Sequence, residues 1–206
     1  MRTAVPVGLV LAAAMSCGPA FGQASDVYGG INATRAVNVE DTNIKPYQGP
    51  DTSEGAAEEM RLKGECDKAV PLLRQYAGRD GNTVAQFNLG MCLFDLANKA
   101  QDKNPMSDQR KEAAKWVIQS ANANVAKAQA EAVVLYLDGL GVAPDPVEAA
   151  KWSILYRRNG VVLAVGMGDI AQSIRERLDA ALTDASRNQA QNRADDWTDA
   201  YQKADR

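Results

Sequence analysis

The chain of 206 residues contains no histidine. That absence removes imidazole metal sites, Ser-His-Asp triads and Cys-His dyads together. Any general acid or base must then be a carboxylate, Lys, Tyr or Cys. Ser-x-x-Lys is also missing, so no catalytic residue, metal site or cofactor is expected. The 23 basic and 26 acidic residues leave a net charge of −3, and no basic block or stripe stands out. A phosphate-neutralising surface is therefore excluded, and with it nucleic acid as the partner. Long apolar runs are absent too: residues 5–15 are apolar but too few to span a bilayer. Cysteine is scarce, at Cys17, Cys66 and Cys92 only.

What is present begins with a separable N-terminus. Arg2 precedes the apolar stretch, and small residues follow through Ala20, Gly22 and Ala24, the pattern of a secretory signal cut near Ala24. Cys17 lies just past the apolar core and offers lipidation as an alternative, although Ala14-Met15-Ser16 is a poor lipoprotein box. No transmembrane span is expected once the signal is removed, which places the protein in the periplasm or outside the cell. Residues 25–53 show no sustained periodicity and are broken by Gly29-Gly30, Lys45-Pro46 and Gly49-Pro50. They read as a flexible leader.

From residue 54 the pattern is helical, and a five-residue string betrays its organisation. Glu-Ala-Ala-Lys-Trp occurs at 112–116 and again at 148–152, thirty-six residues apart. Such a period is the mark of stacked helix pairs, each of which needs its neighbour to bury an apolar face. Helices are expected over about 53–63, 67–77, 83–97, 108–121, 126–138 and 146–158, followed by two in the tail at about 169–182 and 184–203. The expected class is all-α: a short α-solenoid of antiparallel pairs (54–160) closed by a C-terminal capping helix pair (161–206).

Helix geometry also pairs the cysteines. Cys66 and Cys92 lie about thirteen residues before and after the turn near Arg79-Asp80. Equal rise puts them at the same height on adjacent rods, where a disulfide fits an exported chain.

The stretch from Leu135 through Gly139, Leu140, Gly141 and Val142 to Asp145, continuing through Ala149, Ala150 and Trp152 to Gly160, resembles a Sel-one-like repeat, a branch of the tetratricopeptide superfamily. Ala85-Gln86-Phe87-Asn88-Leu89-Gly90 with 112–116 resembles the same unit, but carries about seven extra loop residues and lacks Gly-x-Gly-Val. In these repeats the glycines allow a tight turn with positive φ. Asp145 and Pro146 suit the start of the next helix, and the Ala pair and Trp set the packing. The Gly-x-Gly follows a helix and lacks Lys-Ser/Thr, so it is no phosphate loop.

The resemblance implies an adaptor whose concave wall, built from the first helix of each pair, binds a protein or peptide. Residues expected on that wall are Phe87, Met91, Phe94 and Asp95, then Lys127, Val134, Leu137 and Asp138. Exposed Phe and Met would act as anchors. The functional expectation is an exported scaffold for protein–protein interactions in the bacterial envelope, with self-association as a means of extending a short solenoid. The alternatives are a cell-wall or β-lactam-related hydrolase and a lipid-anchored structural envelope protein.

Overall fold

The computed structural model describes residues 53–78 and 82–204. The signal, leader and Cys17 readings lie outside them. Among the described residues the protein is all-helical, with elements α1 Ser53–Leu62, α2 Cys66–Ala77, α3 Thr83–Lys99, α4 Asp108–Asn122, α5 Ala126–Asp138, α6 Pro146–Arg158, α7 Gly160–Val165, α8 Gln172–Ala180 and α9 Asp184–Ala204.

Side-chain caps set several starts. The Asn82 side chain accepts from Ala85 N, Ser107 from Arg110 N, and Asp145 from both Val147 N and Glu148 N at 3.0 Å. Each satisfies backbone donors that the first helical turn leaves unpaired. The expectation of only two tail helices needs correction. Asn159 accepts from Val161 N and opens α7, a short helix where the periodicity had simply ended. The following helix is also shorter than expected, running only from Gln172 to Ala180.

Successive helices pack in chain order from α1 to α6, after which α6 is covered mainly by α9. The core is built from small residues, which let backbones approach closely. Ala113, Ala114 and Ala149 are fully buried and Ala150 nearly so. A Cβ on Gly90 would stand 2.6 Å from Val117 Cγ2 and 2.8 Å from Ala113 O, so α3 and α4 meet over a bare backbone. The Glu of each repeated string binds an arginine from another helix. Glu112 pairs with Arg74 of α2, and Glu148 receives Arg193 of α9 at 3.1 Å. The Arg74 hydrogen bonds hold the Glu112 carboxyl below its ordinary value.

Cys66 and Cys92 form a disulfide with Cα atoms 5.0 Å apart, both fully buried, joining α2 to α3 as their spacing predicts. The seven extra loop residues are pinned by Arg110. This buried guanidinium donates to Asn98 Oδ1 at 2.9 Å and to Asp102 O at 2.7 Å. The loop then reaches the next repeat, where Gly141 N donates to Pro105 O at 2.7 Å. Gly141 has φ +73°, and a Cβ there would fall 2.1 Å from Arg110 O. No other residue fits between this turn and the start of α4.

Candidate interaction face on α3 and α5

Asn88, Met91 and Asp95 of α3 are spaced i, i+3 and i+7, so they share one helix face. Glu131, Val134 and Asp138 of α5 repeat that spacing, each forty-three positions after its counterpart. Forty-three is the thirty-six-residue period plus the seven residues of the extra loop. Gln86 and Gln129 obey the same offset and do the same work. Gln86 Nε2 donates to Ala77 O at the end of α2, and Gln129 Nε2 to Asn124 Oδ1 in the turn before α5. Asn159 completes the second set, donating to Asn124 O, Asn124 Oδ1 and Gln129 Oε1 at 2.9–3.0 Å.

The residues expected on this face divide by exposure. Phe87, Met91 and Phe94 are 5%, 5% and 6% exposed, so they are packed in the core and do not stand free as anchors. The cause lies in α3 itself, which is apolar nearly all round and buries eleven of its seventeen residues. Asp95, Val134 and Leu137 are half-buried, while Lys127 and Asp138 are exposed. Asp138 Oδ1 accepts from Arg177 of α8, a link between distant helices that its position at the end of α5 did not suggest.

Sequence reasoning missed the most unusual member of the face. Glu131 is 6% exposed, and its Oε2 has no hydrogen-bond partner. Burial, then the charges of Asp95 and Asp138, push its carboxyl up to about 7. Burial also raises Asp95, against the lowering pull of Arg61 and Lys99. Asp95 Oδ2 lies 3.7 Å from Cys66 Sγ, a contact and no more, since a disulfide sulfur carries no proton to donate. Asn88 Nδ2, at the position equivalent to Glu131, is likewise buried without a partner. Aligning the two repeats would have exposed Glu131 as an acid set among Ala130, Ala132 and Val133.

The three acids do not form a metal site: among the described residues no group of three or more His, Cys, Asp or Glu side chains is arranged to hold an ion. A separate depression of about 320 Å³ lies between α6, α8 and α9. Its arginines are turned onto neighbours, Arg157 onto Ser153 and Arg187 onto Asp179. No described helix is long and apolar enough to cross a membrane.

No protein-family model matches the chain, nor does any curated protein or any solved structure.

Proposed function

We propose that the protein is an exported interaction scaffold of the bacterial cell envelope. In this reading residues 54–160 are Sel-one-like helix pairs stacked antiparallel into a short solenoid, and the helices after residue 161 close it. A protein or peptide partner binds the concave wall formed by the first helix of each pair, α3 and α5. One observation carries the reading. The stripe Asn88–Met91–Asp95 recurs at a fixed offset as Glu131–Val134–Asp138, and two of its members are buried polar side chains with unpartnered atoms. Each such atom costs on the order of 1–3 kcal/mol when buried without a partner, a cost that polar groups of a bound segment would offset. The buried disulfide and the lack of a spanning helix among the described residues are compatible with export.

The wall differs from the one that exposed aromatic anchors would make. Its apolar contacts are the half-buried Val134 and Leu137, and its polar contacts are Asp95 and Asp138. The test is a crosslinked pull-down of the protein from its native envelope fraction, beside a Val134→Ser, Leu137→Ser variant with unchanged helicity. A partner captured by the parent and lost from the variant establishes the scaffold and its wall. Equal capture by both removes the wall assignment.

A further inference from the structure

Glu131 holds a position that physical chemistry rarely leaves as it stands. Its side chain is more than nine-tenths buried, Oε2 is unpaired, and it lies on the same face of α5 as Asp138. Asp95 approaches from α3, so the charges acting on Glu131 from the two helices are both negative. The described cations of this face act on its two aspartates. Arg177 is bound to Asp138, while Lys99, which donates to Gly64 O, and Arg61, which lies over the Phe87 ring at 6.0 Å, both act on Asp95. Among the described residues no cation acts on this buried acid, and the two charges that do are both negative.

Resting on the scaffold reading, we propose that the wall between α3 and α5 takes an extended peptide segment carrying a lysine or arginine, whose charged end pairs with Glu131. Charge complementarity selects this occupant. A basic head group relieves the repulsion that Asp95 and Asp138 impose, and satisfies the orphan oxygen with a charge-assisted hydrogen bond. The aliphatic stem lies along Val134 and Leu137 on the way in. Asn88, one repeat earlier, offers an unpaired donor to a carbonyl of the same segment. An acidic or purely apolar peptide would leave Glu131 as unsatisfied as before. Binding must convert Glu131 to its ionised form, so affinity rises with pH up to the point where the free protein is already ionised.

The test is selection of a random peptide display library on the full chain and, in parallel, on a Glu131→Gln variant. The expected outcome is a set of binders to the parent with Lys or Arg at one fixed position, absent from the Glu131→Gln set. A selected peptide then binds the parent more tightly at pH 8 than at pH 6. It binds the variant more than about tenfold more weakly at pH 8, with little pH dependence. Binders without a fixed basic residue, or binders kept by Glu131→Gln, overturn the proposal while leaving the scaffold standing. No binders at all from the parent overturn both. Carbon-13 chemical shifts of the Glu131 carboxyl supply a check independent of the variant's folding. Added peptide should lower its midpoint, and an unmoved midpoint refutes the pairing.

Discussion

At the scale of single residues, Glu131 ties stability to pH in a direction opposite to that of a salt-bridged acid. Burial and two neighbouring aspartates push its carboxyl up to about 7, against about 4.5 for a glutamate in water. The native state therefore holds the proton more firmly than the unfolded state. Below about pH 4.5 both states are protonated and ionisation costs nothing. Stability is lost as pH rises from there to about 7, and above that the deficit stays constant. The full deficit is on the order of 3 kcal/mol. Glu131→Gln should abolish it: in urea titrations the variant matches the parent near pH 4 and exceeds it by a few kcal/mol at pH 8. Parallel curves for the two proteins across that range would show that Glu131 is not desolvated as described. Gly141 gives a second residue-scale prediction, with the opposite outcome. Gly141→Ala places a Cβ where Arg110 O stands and keeps a φ of +73° that alanine resists. The junction between the extra loop and the next repeat must open. We expect a loss of about 3 kcal/mol by chemical denaturation, far beyond the ordinary glycine-to-alanine change.

At the scale of elements, α2 and α3 are fastened by the Cys66–Cys92 bridge, which closes a span of 26 positions. Replacing both cysteines by alanine should cost about 3 kcal/mol, chiefly by freeing the unfolded chain. Reduction of the parent protein should lower its melting temperature comparably, and an unchanged melting curve under reductant would contradict a bridge in solution. Much of this level is legible from sequence because its causes are local. Asn82, Ser107 and Asp145 announce helix starts through bonds two or three residues away, and the disulfide follows from equal rise on either side of one turn. The α7 helix escapes because Val161 to Val165 carries no period, while its only strong signal, the Asn159 cap, is also a buried partner of Asn124 and Gln129. Phe87 and Met91 escape for a different reason. A periodic stripe shows that a helix has an apolar face, but α3 is covered on more than one side, and the covering helices α2 and α4 are separate stretches of chain. Glu131 escapes most completely. Its ionisation depends on burial, on Asp95 thirty-six positions earlier and on Asp138, and residues 126–138 alone carry only the last of these.

At the scale of the whole molecule, substantial packing joins helices that are neighbours in the chain, except where α9 returns to cover α6. Stability in such an arrangement is close to a sum of neighbouring interfaces, so an end interface can fail without the rest. The far end carries one aromatic column. Trp152, 1% exposed, meets the Trp197 ring edge-on at 6.2 Å, and Trp197 stacks on Tyr201 at 5.0 Å. Arg193 adds bonds to Asp145 and Glu148, Trp197 Nε1 donates to Asn122 Oδ1, and Arg158 pairs with Asp195. The ion pairs are partly exposed and contribute little, which leaves the rings and the fully buried Ala190 and Ala194 to hold α9 in place. Trp197→Ala removes the middle of the column. We expect a cost of about 2–3 kcal/mol, below that of a fully buried tryptophan because Trp197 is only half-buried. The loss should be local. Amide exchange should quicken in α9 and α6, while α2 to α4, held by the disulfide and their own buried core, keep the protection of the parent. The fluorescence of Trp152 should shift to the red as water reaches its ring. A uniform rise in exchange from α1 to α9 would mean that the helices unfold as one unit, and that α9 holds up the whole chain and not merely its end.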